Sequence, residues 1–185
     1  MVYPSLSLRV VALIVGILLV ALHGTALARS TSVRAMLRAF PRSKNFGTAL
    51  LAIDTIWSFL LIANMDLGEF SHMRKILLIL IPIAALLTFR FVDEFLAVRA
   101  LGIFLLLAAE PLVEAAFLHP ETSRLLIVAL AHVWATLGMF WVGMPYLLRD
   151  QIAWLQKTET RWRAGCLAGV IYGIAVLIAA ISFRA

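Results

Sequence analysis

Cysteine is almost absent from this chain. Cys166 stands alone, so no internal disulfide can form and no Cys-based metal or haem-attachment motif exists. Charge is scarce too: Asp, Glu, Lys and Arg make up 14% of the residues, against roughly 25% in soluble domains. No stretch is polar enough to make a soluble domain. No nucleophile elbow, P-loop, HExxH or dinucleotide fingerprint occurs, so the sequence signals no enzyme chemistry. There is no internal repeat with paired broken helices, as an inverted-repeat carrier would have.

What fills the chain instead is hydrocarbon. Apolar residues reach 63%, where roughly 45–50% is usual, and several runs approach the roughly 20 residues that cross a bilayer. The expected fold is all-α: one integral membrane domain over residues 1–185, a bundle of six spans with short interfacial helices. The spans are expected near 8–28, 46–65, 74–91, 94–118, 124–148 and 162–183. The net charge of +6 does not point to nucleic acid, because the Lys and Arg residues cluster at segment ends, where insertion topology and anionic lipid explain them. The lipid bilayer is the expected partner.

Ala26-Leu27-Ala28 looks like a signal-peptidase site. Cleavage there would export a loop holding Arg29, Arg34, Arg38, Arg42 and Lys44, which is disfavoured, so a retained first helix is expected. With the N-terminus outside, eleven of the sixteen Lys and Arg residues fall on the inner side. The positive-inside rule therefore puts both termini outside, with a bacterial inner (plasma) membrane as the expected setting. Residues 32–40 read as a basic amphipathic helix in the headgroup plane, with Ser32 as N-cap and Val33, Met36, Leu37 and Phe40 on one face. A partner-docking helix is the other reading of that segment.

The stretch 93–118 carries unusual chemistry for a span. It holds Asp93, Glu94, Arg99, Glu110 and Glu114, with Pro111 between the last two. Charge at membrane depth is costly, and such residues normally face a bundle interior, a partner or a water-filled cavity. Positions 99, 110 and 114 fall within about 60° of one another on a helix. Glu110 and Glu114 are i,i+4 neighbours, and Arg99 lies about 16 Å away along the axis, too far to neutralise them. Pro111 frees the carbonyl of Leu107. The functional reading is an ion or proton site at a kink. The plain reading pairs Glu110 with another helix and lets Glu114 reach the headgroups.

Two other spans carry matching residues. Asp54 lies deep in the second, with Ser58 one turn on. His132 lies in the fifth, with Thr136 one turn on. Asp54 reads equally as a structural hydrogen-bonding residue, and a lone histidine such as His132 is more often a satisfied structural residue than a ligand. By chain distance Glu110 and His132 lie about 12 Å below the outer surface and Asp54 about 16 Å, so the three could meet. His23 lies about 10 Å deeper than His132, which counts against a bis-histidine haem.

The sixth span presents Gly165, Gly169 and Gly173, a GxxxGxxxG stripe that admits a close helix neighbour within the bundle or in another copy. Three functions follow. The leading one is a membrane subunit or scaffold that associates by close helix packing, as a homo-oligomer or with a complex partner. The alternative is a small proton- or cation-coupled transporter or channel using Glu110, His132 and Asp54, with Glu114 as a relay. The third is a redox subunit holding quinone or haem near His132 and Trp134.

Overall fold

The computed structural model describes residues 6–92 and 94–183. Among them the chain forms eight α-helices: α1 Leu8–Ala28, α2 Ser30–Ala39, α3 Lys44–Asn64, α4 Arg74–Phe91, α5 Leu96–Ala116, α6 Leu125–Gly143, α7 Tyr146–Gln156 and α8 Glu159–Ser182. Six of them, α1, α3, α4, α5, α6 and α8, are long and apolar enough to cross a membrane. The all-α helix bundle expected from the sequence is the fold observed.

Helix ends follow local chemistry. The Ser43 hydroxyl accepts from Phe46 N at 3.4 Å and opens α3, and the Thr158 hydroxyl accepts from Arg161 N at 3.2 Å and opens α8. Ser32 does not cap α2. The helix resumes at Ser30 after a single break at Arg29, whose N–H is still held by Thr25 O at 2.8 Å. The fifth span is shorter than its hydropathy suggests. It stops at Gly143, because Pro145 restricts the residue before it and restarts the chain as α7, in a region that reads as loop from polarity alone. Between α4 and α5, Phe95 adopts a left-handed conformation (φ 58°, ψ 28°) and turns the chain sharply, at a cost of order 1–2 kcal/mol for a residue with a Cβ. Asp93, the acidic neighbour of this turn, lies outside the described residues.

Small residues set the packing. α1 and α8 run antiparallel, with Gly16 against Leu177 and Gly173 against Leu19 and Val20. α5 and α6 run antiparallel, with Gly102 against Gly138. These four helices enclose the main core, in which Leu8, Val15, Ala116, Ile127, Val176 and Phe183 are buried together. α3 runs parallel to α5, since Gly47 meets Ala97 and Trp57 meets Phe104. α4 packs chiefly on α3 and contributes no buried residue. The bundle is therefore a four-helix body with an α3–α4 hairpin docked on α5.

Candidate functional site

The seam between α3 and α5 holds the most unusual side chain. Gly47, Leu51 and Asp54 are the buried residues of α3. Their i, i+4, i+7 spacing puts them on one stripe, and the first two already meet Leu96, Ala97 and Ala100 of α5. Asp54 continues that stripe. It is 3% exposed, the one buried charged side chain among the described residues, and neither carboxyl oxygen has a hydrogen-bond partner.

Neighbouring residues close the seam on both sides of Asp54. Towards the α2–α7 end, Leu51, Leu96 and Ala100 pack together with Leu50 and Ala85. One turn from Asp54 towards the other end, the Trp57 and Phe104 rings meet edge to face, with centroids 5.8 Å apart. Asp54 thus lies opposite the part of α5 between Ala97 and Phe104.

Glu110 follows Phe104 by six residues, about 9 Å along the axis at 1.5 Å per residue. Glu114 is its i,i+4 neighbour on the same helix, and the Glu110 Oε2 is buried without a partner. Both residues are partly exposed. They sit about 40° (Glu114) and 80° (Glu110) around the helix from Ala100, on the side away from Phe104. The pair therefore flanks the seam. Pro111 does not end the helix, which runs on to Ala116.

His132 is turned away. It is exposed, with ring Nδ1 2.7 Å from Val128 O. It stands about 120° around α6 from Gly138, off the face formed by Ile127, Leu130, Ala131, Gly138 and Trp141. It is level with Glu110 but does not face the seam, so Asp54, Glu110 and His132 do not meet at one point. His23 lies on a different interface, against Gly169, with its Nδ1 2.9 Å from Leu19 O. Arg99 serves α6: its Nη1 donates to Val142 O at 2.8 Å. Among the described residues no three His, Cys, Asp or Glu side chains gather as a metal site.

The glycine stripe is occupied inside the chain. A methyl group at Gly173 would meet Leu19 and Val20, one at Gly169 would run into the His23 ring, and one at Gly165 would meet Leu155. The close approach that the stripe permits is used between α8 and α1 and where α7 folds back on α8. Trp57 and Phe104 join the site only through the structure: aromatics are common on apolar helices, and neither stands in a pattern that distinguishes it. Comparison with family models, with curated proteins and with solved structures finds no match to this chain.

Proposed function

We propose that the chain is a small proton- or cation-coupled membrane carrier or channel in which Asp54 holds the ion. The observation that carries this reading is the enclosed, unpartnered carboxyl in the α3–α5 seam. Buried polar groups are nearly always hydrogen-bonded, and an ionised carboxylate without a partner costs several kcal/mol after relaxation. An aspartate kept only to join two helices would donate to or accept from one of them. One that binds and releases a proton or cation needs unclaimed oxygens. The Glu110–Glu114 pair stands farther along α5, beyond Phe104, and would serve as the outer relay, with the Trp57–Phe104 contact between the two stations. α3 and α4 join the body through α5, so small sliding of α3 on α5 would open the seam. In this reading the arginine-rich end faces the inner side of a plasma membrane and both termini face out.

The test is reconstitution of the full chain into liposomes holding a pH-sensitive dye, with proton, Na⁺ and K⁺ gradients imposed in turn. Wild type is expected to pass protons under at least one gradient, and Asp54→Asn, which keeps the shape and loses the titratable group, is expected to pass none. Absence of flux in wild type under every gradient, or equal flux in Asp54→Asn, overturns the proposal.

A second reading, a subunit of a larger membrane assembly, draws support from the lateral groove between α3 and α4. That groove is about 380 Å³ and is lined by Thr48, Ala52, Ile56, Pro82, Leu86 and Phe89 among others. It does not draw on the glycine stripe, which is spent within the chain. A particle larger than one chain in mild detergent, reduced to one chain by Ala52→Trp, would favour this reading.

A further inference from the structure

At the arginine-rich end, α2 and α7 lie side by side. Gln156 Nε2 donates to Arg34 O at 3.2 Å, and Arg38 Nε donates to Gln156 Oε1 at 2.5 Å. Between the two helices opens a cavity of about 290 Å³. Its floor is apolar, made by Leu37, Pro41 and Ile152, of which the last two are buried. Its rim carries Arg38, Arg149 and Gln156. Arg149 also borders a second hollow of about 400 Å³ with Arg42, Glu94 and Phe95. The charged groups around the two hollows are thus three guanidinium groups, with Glu94 and Asp150 as the acids. Asp150 is held by Arg149 at 2.8 Å.

We infer that this cavity binds the headgroup of an anionic phospholipid. A greasy floor below two guanidinium groups, at the ends of the spans, matches an amphiphile whose phosphodiester meets Arg38 and Arg149 while its glycerol and first methylenes cover Leu37 and Ile152. Arginine forks suit phosphate oxygens geometrically. Basic pockets between helices at the interface are where such headgroups bind. A free phosphate would leave the floor uncovered, and a choline headgroup would bring its own cation up to the arginines. Three other basic residues of this end are engaged elsewhere: Arg161 stacks 4.7 Å from the Trp154 ring, and Arg34 and Arg163 pair with Glu159 at 2.5 and 3.0 Å. The inference does not depend on the role proposed for Asp54.

The experiment measures thermal unfolding of the detergent-purified full chain against three probes: dihexanoyl-phosphatidylglycerol, dihexanoyl-phosphatidylcholine and inorganic phosphate. The anionic phosphatidylglycerol is expected to raise the Tm and the other two are not. Loss of both guanidinium groups in Arg38→Gln/Arg149→Gln is expected to weaken its binding about thirtyfold. Ala153→Trp fills the cavity wall without changing charge and is expected to abolish the response, which keeps the test decisive if the double variant does not fold. Lys157→Gln removes a charge outside the cavity and is expected to bind as wild type. An equal response to phosphatidylcholine or to phosphate overturns the inference. So does a wild-type response in Ala153→Trp, or an equal loss in Lys157→Gln, which would mean diffuse charge rather than a site.

Discussion

Gly102 and Gly138 face each other across the α5–α6 crossing so closely that a methyl group on Gly102 would lie 2.8 Å from Gly138 O, and one on Gly138 would lie 2.7 Å from Gly102 O. The obstacle in each case is backbone, which cannot rotate away. Gly102→Ala and Gly138→Ala are each expected to cost about 2–3 kcal/mol by overpacking. Gly24→Ala and Gly143→Ala meet nothing within 4 Å and should be neutral or gain up to about 1 kcal/mol of helix propensity. Reversible unfolding in detergent ranks the four variants.

The α1–α8 contact makes a separate prediction. A methyl group at Gly169 would overlap the His23 ring, so Gly169→Ala should destabilise the monomer. Removing the ring with His23→Ala should restore part of that loss. A positive coupling of about 1 kcal/mol or more in the double-mutant cycle is expected for two groups in direct contact. If Gly169→Ala instead changed the particle size in mild detergent while leaving monomer stability unaltered, the stripe would be serving a second copy.

These two contacts show what the sequence made legible. The stripe of Gly165, Gly169 and Gly173 advertises itself by spacing, and it does mark a tight interface. The equally tight Gly102–Gly138 crossing joins isolated glycines on two helices, and no spacing within either helix announces it. The six apolar helices follow from composition, but the break after Gly143 depends on two residues, Gly143 and Pro145, set in a run that hydropathy alone reads as continuous. For the site, Asp54 stands out in sequence because an aspartate among apolar residues is rare at membrane depth. Depth along the chain cannot decide which way a side chain points. His132 and Glu110 share a level, yet α6 presents its His132 face outward while Glu110 flanks the α3–α5 seam.

Asp54 should act against stability. Its oxygens have no partner, so an apolar residue of similar size relieves a desolvation cost without breaking a bond. Asp54→Leu is expected to raise unfolding stability by about 1–3 kcal/mol, even as it removes the ion-holding group. Thermal unfolding at neutral pH checks the sign. A loss of stability would mean that the carboxyl is holding the helices together, and that would weaken the functional reading along with it.

Arg99 ties the first turn of α5 to the last turn of α6 through its bond to Val142 O, 2.8 Å long and part-buried. Arg99→Met keeps most of the aliphatic stem and removes the donor. The expected loss is about 1–3 kcal/mol, the usual cost of stranding a buried partner or losing a charged hydrogen bond. Because α6 ends one residue after Val142, the loss should appear first as faster amide exchange at Gly143 and Met144, ahead of global unfolding.

Arg34 offers a case where magnitude decides between two contacts. Its Nη2 lies 2.5 Å from Glu159 Oε2, and its guanidinium lies 4.8 Å from the centre of the Trp162 ring. The carboxylate side chain is 51% exposed and the arginine side chain 20%, so water competes for the ion pair, and exposed pairs contribute only about 0–1 kcal/mol. Trp162 is 1% exposed, so its ring meets the cation largely out of water, where such contacts reach about 2 kcal/mol. Glu159→Gln should therefore cost little and Arg34→Met about 1–2 kcal/mol more. Raising the salt concentration should erase the Glu159→Gln effect and leave most of the Arg34→Met effect, because screening acts on exposed charge far more than on a buried contact. Equal losses for the two variants, both vanishing in salt, would assign the junction of α2 with α8 to the ion pair instead.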